Sequence, residues 1–403
     1  RAPSQAFVDR FAKYYTPAVI AIAFLIAFVP PFFPGETFGK WFYRALVLLV
    51  ISCPCALVIS TPVSIVSGLA AAARSGVLIK GGVYLEDAGR VQVVAFDKTG
   101  TLTKGVAEVT DVIPLGALSP HELLSLAASI EALSEHHLAA AILAKAKTEG
   151  VSLKKAENFK ALTGLGAQAT MDGVKHYIGN HRLFREKGLL TPAAEQKLDK
   201  LEADEKTAVL LGTKDGPLGV IGIADRLRDV AAWTLSALRR LGVKKVLMLT
   251  GDNMGTAQAI ADELGIDEYY AELLPQGKAE TIRELAEKGG VVAMVGDGVN
   301  DAPALASATL GIAMGTAGSD VALETADIAL MADDLSKLPY VIQLGRRTLR
   351  TIRQNVAASL VIKGAFVALA IAGKATLWMA VAADMGASLL VIANGLRLLR
   401  RTS

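Results

Sequence analysis

Two pairs of long apolar stretches bracket everything else in this chain, and they limit what it can fold into. Residues 16–35 and 45–73 contain no charged side chain, and each is long enough to cross a hydrocarbon core, which takes about 20 helical residues. Pro30, Pro31, Pro34 and Gly35 break the chain between them, leaving a short hairpin through Glu36 and Lys40. Residues 355–373 and 375–396 form a second apolar pair, parted only around Gly373 and Lys374. With 52% hydrophobic and 20% charged residues in 403, the chain is too apolar for an ordinary soluble enzyme, and part of it is expected in lipid.

Basic residues set the expected orientation. Arg10 and Lys13 precede the first span and Arg74 and Lys80 follow the second; Arg346, Arg347, Arg350 and Arg353 precede the third, and Arg397, Arg400 and Arg401 follow the fourth. By the positive-inside tendency these ends are cytoplasmic, which predicts a multi-pass protein of the cell's inner (plasma) membrane with its soluble part in the cytoplasm. In that part, short apolar runs such as Val91–Phe96, Val246–Leu249 and Val291–Val295 alternate with helical patterns, predicting a parallel α/β domain. The fold class is therefore mixed, α-helical transmembrane spans plus α/β. A net charge of +3 and the absence of a basic run interleaved with aromatics give no support for a nucleic-acid partner. There is no internal repeat. The chain opens on Arg1 with no leader before the first apolar run, and reads as an internal start. Its only cysteines are Cys53 and Cys55. Two residues apart on one helix they would point in different directions, so free thiols or metal ligands are expected rather than a disulfide.

The apolar run Val91–Phe96 ends in Asp97-Lys-Thr-Gly-Thr-Leu-Thr103, a carboxylate and a small-residue turn at the carboxyl end of a strand, where open α/β sheets bind ligands. Two more strand ends carry Thr250-Gly-Asp252 and Gly296-Asp-Gly-Val-Asn-Asp301. Three sheet edges can thus converge carboxylates and hydroxyls on one point, a cluster suited to Mg2+ and phosphate. Phosphoryl transfer needs an in-line nucleophile, a hard cation on oxygen ligands and positive charge for the equatorial oxygens. Asp97, Asp297 and Lys278 can supply these. Any one of the motifs alone would read as an Asp-Gly turn capping a strand.

Together, Asp97-Lys-Thr-Gly-Thr-Leu-Thr, Thr250-Gly-Asp and Gly296-Asp-Gly-Val-Asn-Asp-Ala-Pro303 resemble the haloacid dehalogenase core of P-type ATPases. The resemblance implies that ATP phosphorylates Asp97 and that Mg2+ is held by Asp97, the Thr99 carbonyl and Asp297. It makes Lys278 the matching lysine, with Thr250, Gly251, Asp252, Asn300 and Asp301 completing the phosphate site. Related phosphatases carry a second aspartate two residues after the nucleophile as general acid and base. Thr99 stands there and cannot transfer that proton at neutral pH, so the aspartyl phosphate should persist, as a pump requires. The resemblance also implies these domains: 1–80 two spans with Cys-Pro-Cys, 81–115 and 223–338 a phosphorylation domain in two parts, 116–222 an α+β nucleotide-binding insertion, and 339–403 two more spans. Within the insertion Glu131, His136, Gly164 and Gly166 match the adenine-site pattern of the heavy-metal branch, although Ser134-Glu-His-His137 carries His137 where that pattern has proline. Gly81-Gly82, with Arg74 and Lys80, reads as an amphipathic connection or a plain linker.

In the second span Pro54 of Ser52-Cys-Pro-Cys55 removes a helical N–H and crowds the Val50 carbonyl, opening the helix within the membrane. The two thiols are soft ligands, suited to Zn2+, Cd2+, Pb2+ or Cu+ and poor for Ca2+ or Mg2+. Lys363 and Asp384 lie mid-way through the third and fourth spans, where an ionised group is costly and reads as functional. They are expected to face one another. Cys-Pro-Cys with Lys363 and Asp384 resembles the zinc, cadmium and lead branch of the heavy-metal P-type ATPases, in which the aspartate is a metal ligand and the lysine a built-in counterion. Copper exporters differ at these spans, and only Met385 and Ser388 echo them faintly. A copper exporter and a membrane-anchored dehalogenase-type phosphatase remain the alternatives. The resemblance further implies an actuator domain and additional N-terminal helices as partners from the same protein, and no Thr-Gly-Glu string occurs in this sequence. The chain alone is thus expected to bind ATP without turning over.

Overall fold

Proline decides where the first apolar stretches bend. In the computed structural model, which describes residues 3–134, 137–162, 164–203, 206–252, 254–297, 301–315 and 324–400, helix α1 (Pro3–Phe28) gives way to a 3-10 turn at Pro30–Phe32. The second stretch is two helices, α2 (Phe38–Ile51) and α3 (Cys55–Arg74). Pro54 has no N–H, and the Val50 carbonyl accepts from the Cys53 amide at 3.3 Å instead. The second pair comprises α13 (Lys337–Ile371) and α14 (Leu377–Leu396). These four helical stretches are long and apolar enough to cross a membrane. Helix α13 starts well before the apolar residues 355–373 because Leu338, Val341, Ile342 and Leu344 give its first turns a buried face.

The break corrects one expectation. Cys53 and Cys55 do not share a helix, and they are joined in a disulfide with their Cα atoms 5.5 Å apart. Ser52, Cys53 and Pro54 lie between the two helices, so the divergence expected for residues two apart on a continuous helix does not apply.

The chain packs as two units, Arg1–Thr101 with Val230–Ser403, and Leu102–Asp229. The first holds a seven-stranded sheet ordered β1 (Val77–Ile79), β13 (Ile328–Met331), β12 (Leu310–Gly315), β11 (Val291–Gly296), β2 (Val91–Asp97), β9 (Lys245–Leu249) and β10 (Glu268–Tyr270). Every neighbouring pair is parallel except β1 with β13. Its strands are continuous apolar runs because both faces are covered, by α4 (Gly82–Ala88), α9 (Ala231–Arg240), α10 (Met254–Leu264), α11 (Pro275–Glu287) and α12 (Ala302–Ser307). Ala95, Leu247, Leu249, Ile282, Met294 and Leu305 form part of the core. The expected linker at Arg74–Gly82 is in fact strand β1 and the start of α4.

The second unit is a six-stranded antiparallel sheet ordered β3 (Thr103–Pro114), β8 (Gly216–Leu227), β7 (Thr207–Thr213), β6 (Val174–Gly179), β5 (Gly166–Met171) and β4 (Glu157–Leu162). Helices α5 (Pro120–Glu131), α6 (His137–Thr148), α7 (His181–Glu186) and α8 (Pro192–Ala203) accompany it. Strand β3 pairs with β8 from Thr103↔Leu227 to Pro114↔Gly219. Both strands therefore belong to this unit, and its seams fall at Leu102 and Asp229 rather than near residues 115 and 223.

Within the first unit α4 crosses α13 at a backbone contact. A Cβ on Gly345 would lie 2.4 Å from the Gly89 nitrogen and 2.6 Å from the Leu85 carbonyl oxygen, both backbone atoms that cannot swing aside. Gly345→Ala should therefore lower stability by about 1–3 kcal/mol or more, read as a fall in the thermal midpoint in detergent. Gly364→Ala, where a Cβ meets nothing within 4 Å, should leave the midpoint unchanged.

Candidate functional site

Asp97 owes its position to strand register. It pairs with Leu249 on β9, and Phe96 pairs with Val295 on β11, so Thr250 and Asp297 leave their strands on either side of it. Gly100, at a left-handed φ of 73°, turns the chain away after Thr99. A Cβ on Gly100 would come within 3.2 Å of Asp297 Oδ2, which places that carboxylate over the turn. Lys278 on α11 donates through Nζ to Asp97 Oδ1 and, at 2.9 Å, to Asp301 Oδ1. All three side chains are buried. Thr250 Oγ1 accepts from the Asp252 amide at 3.1 Å, and Lys98 pairs with Asp252. Gly251 carries the turn between them. Asn300 lies outside the described residues.

Burial pushes the Asp97 carboxyl above its ordinary value, the Asp301 charge pushes it further, and Lys278 pulls it back. Asp301 is raised by burial in the same way, against the pull of Lys278. Burial works against the Lys278 charge, but Asp97 and Asp301 together outweigh it and hold the ammonium above its ordinary value. Two carboxylates therefore share one ammonium, the Asp297 charge acts on both of them, and Asp301 Oδ2 is buried with no hydrogen-bond partner among the described residues. An excess of hard oxygen donors and negative charge fits a divalent cation such as Mg2+.

The second unit contains a cavity of about 700 Å3 lined by Glu131, Ser134, Phe159, Gly164, Gly166 and Asn180, among others. Gly166 (φ 144°) admits no side chain, since a Cβ would sit 2.1 Å from the Ile178 carbonyl oxygen. Asn180 donates from Nδ2 to the Gly164 carbonyl at 3.0 Å, and its Oδ1 accepts from the Leu183 amide as the cap of α7. Burial raises the Glu131 carboxyl above its ordinary value, with a Ser134 hydrogen bond pulling the other way. His136 lies outside the described residues.

Among the spans, Lys363 Nζ donates to Asp384 Oδ1 at 3.1 Å, to the Ile51 carbonyl at 3.1 Å and to the Cys53 carbonyl. The break at Pro54 is what frees these carbonyls. Ligand atoms of Cys53, Cys55 and Asp384 all lie within 4.8 Å of one another, half-buried. Tied in a disulfide the sulfurs are not thiolates, so this grouping could take a soft cation only in its reduced form.

Residues 91–309 match the family model described as haloacid dehalogenase-like hydrolase, the stretch that supplies Asp97, Thr250, Lys278 and Asp297. The chain belongs to the haloacid dehalogenase-like hydrolases. It is similar over nearly its whole length to heavy-metal P-type ATPases. It is 51% identical over 407 residues to a probable cadmium-transporting ATPase of Alkalihalophilus pseudofirmus, covering 99% of this chain and 56% of that protein. It is 49% identical over 404 residues to the zinc/cadmium/lead-transporting P-type ATPase of Escherichia coli, covering 100% and 54%. Its structure resembles the crystal structure of a zinc-transporting PIB-type ATPase in the E2.Pi state, with a TM-score of 0.89 and 48% identity over 99% of this chain and 65% of that one. The chain thus spans about half the length of the relatives it matches.

Three contributors to this dehalogenase-like site and its companions went unread in the sequence. Lys98 stands beside Asp97 in its motif and pairs with Asp252. Asn180 pins the Gly164 turn; its signal was a cap residue directly before a short helix. The Ile51 and Cys53 carbonyls carry no side-chain signal and follow only from Pro54. The burial of Lys278 between two carboxylates yields a prediction. In Lys278→Met the folded carboxyls lose their counter-charge and hold protons more tightly than the unfolded chain, so stability is lost as pH rises. The deficit against wild type should be small near about pH 5 and approach roughly 3–5 kcal/mol at about pH 8, read by unfolding at the two pH values.

Proposed function

We propose that this chain forms the phosphorylation, nucleotide-binding and ion-path portions of a pump that exports a soft divalent cation, Zn2+, Cd2+ or Pb2+, through an aspartyl phosphate on Asp97. The observation that carries the reading is the coexistence of two sites in one chain. Asp97 sits at a sheet edge beside Lys278, and Asp384, Cys53 and Cys55 gather at a helix break among the spans beside Lys363. The names of the similar proteins, cadmium-transporting and zinc/cadmium/lead-transporting ATPases, support the same choice of ion.

In this mechanism the cavity of the second unit holds ATP, with Glu131, Gly164 and Gly166 around the adenine. An Asp97 carboxylate oxygen attacks the γ-phosphorus, the bond to the β,γ-bridging oxygen breaks, and ADP leaves with that electron pair. Lys278 neutralises charge on the transferring oxygens, and Thr250 and Asp301 complete the cradle. Mg2+, held by Asp97, the Thr99 carbonyl and Asp297, would add positive charge at the same oxygens. Thr99 offers no carboxyl to activate water, so the aspartyl phosphate lasts. In the spans, reduced Cys53 and Cys55 with Asp384 hold the ion. The Lys363 ammonium, already bonded to Asp384, takes its place as counter-charge when the ion has left.

Acid-stable labelling from γ-labelled ATP should be lost in Asp97→Asn and retained in Asp384→Ala. Hydrolysis by the whole protein in lipid should be stimulated by Zn2+, Cd2+ or Pb2+ and lose that stimulation in both variants. Stimulation by Cu+ alone would move the protein to copper export, and metal-independent hydrolysis would point to an anchored phosphatase. Zn2+ affinity of the reduced protein should drop at least about tenfold, roughly 1.4 kcal/mol, in Cys53→Ser or Cys55→Ser. Without prior reduction the wild type should bind as weakly as those variants.

A further inference from the structure

Helices α13 and α14 bond to one another at two levels, and only one of them belongs to the ion site. At the first, Lys363 Nζ donates to Asp384 Oδ1 at 3.1 Å. At the second, nearer the start of α13, Asn355 Nδ2 donates to the Val391 carbonyl at 3.3 Å, and Asn394 Nδ2 donates to Asn355 Oδ1 at 2.8 Å. The Arg397 guanidinium donates in turn to Asn394 Oδ1 at 3.3 Å. A carbonyl can only accept and a guanidinium can only donate, so the groups at the two ends of this chain orient both amides. Asn355 is 3% exposed, and a buried amide that loses a partner is left unsatisfied at a cost.

Between the two levels Ile362 of α13 packs against Ala387 and Val391 of α14, aliphatic contacts that supply no directional bond. Residues 355, 359 and 363 follow one another at four-residue spacing and share a face of α13. Ser359, between the two bonding residues, is buried, and its hydroxyl has no partner among the described residues. A slide of α13 by four residues toward its own start would set Ser359 at the level of Asn394 and carry Lys363 about 6 Å away from Asp384. The Asn355 amide would then leave both of its partners. A buried polar side chain that pairs in one alignment only is a means by which packed helices specify register, and hydrogen bonds between spans act in the same way.

We propose that Asn355, together with Asn394, is a positioning residue of the ion site: the pair fixes the register of α13 on α14 in which Lys363 reaches Asp384. The role of Lys363 at the ion rests on the pump reading above, whereas the register does not. A lipid-soluble carbodiimide, which condenses an adjacent carboxyl and amine into an amide, should join Asp384 to Lys363 in the whole protein, and the linked peptides are counted by mass spectrometry. Their yield should fall roughly tenfold in Asn355→Leu and in Asn394→Leu, in samples that a thermal midpoint shows to be folded. Asn394 is half-buried, so its variant keeps the test open where Asn355→Leu fails to fold. Ser359→Ala, on the same face with no hydrogen bond to lose, should match wild type. Zn2+ affinity of the reduced protein supplies a second readout. Lys363→Ala should change it in the wild-type background and by no more than about twofold in Asn355→Leu, where the lysine has already left Asp384. Positions 355 and 363 lie about 12 Å apart along the helix, a separation at which independent substitutions simply add. Wild-type cross-link yield in both asparagine variants, an equal loss in Ser359→Ala, or equal effects of Lys363→Ala in the two backgrounds would overturn the assignment. Cross-links as expected in a protein that binds no Zn2+ would overturn the ion reading and uphold the register.

Discussion

The ammonium of Lys278, bonded at once to Asp97 and Asp301, is the contact around which the sheet-edge cluster of the first unit is arranged. Two buried carboxylates at one sheet edge repel each other and resist ionisation. The lysine supplies one compensating charge and leaves the cluster short of another. A divalent cation would meet that shortfall. The contact exists because β2 lies between β9 and β11, so that loops from both neighbours open around its last residue. A strand at the edge of the sheet would have had such a neighbour on one side only.

The same sheet is joined to the spans at one place. Helix α3 runs into β1, and β13 leads on through residues 332–336 to α13; β1 and β13 are themselves paired antiparallel. The two covalent routes between soluble and membrane parts therefore leave from adjacent strands. Helix α4 adds a third connection, pressed against α13 at Gly89 and Gly345 with no room for a side chain. Lys363 stands on the same continuous helix that receives this contact. Asp97 and Asp384 thus belong to parts of one unit that are joined by paired strands and by a packed helix.

Among the spans, Pro54 does two things at once. It ends α2 early enough to leave the Ile51 and Cys53 carbonyls without helical donors, and it brings Cys53 and Cys55 together instead of on diverging sides of a helix. Lys363 uses the carbonyls as acceptors and Asp384 as a counter-charge, so an ammonium in the middle of a span is satisfied on several sides. That is how an ionised group is tolerated at such depth.

Much of this was open to reading in the residues themselves. Uncharged runs of spanning length, apolar strands ending in Asp97, Thr250 and Asp297, a proline between two cysteines, and a lone lysine and aspartate inside apolar helices are local patterns, and each has a local physical cause. What sequence could not decide was set by contacts between distant segments. The seams of the second unit moved to Leu102 and Asp229 because β3 found its partner more than a hundred residues on, in β8. The cysteines met because the helix broke on both sides of Cys53, which spacing alone, read on a continuous helix, argued against. Periodicity and proline act within a few residues and can be read along the chain, whereas strand pairing, burial of charge and the meeting of helix ends depend on which surfaces remain to be covered after the chain has folded.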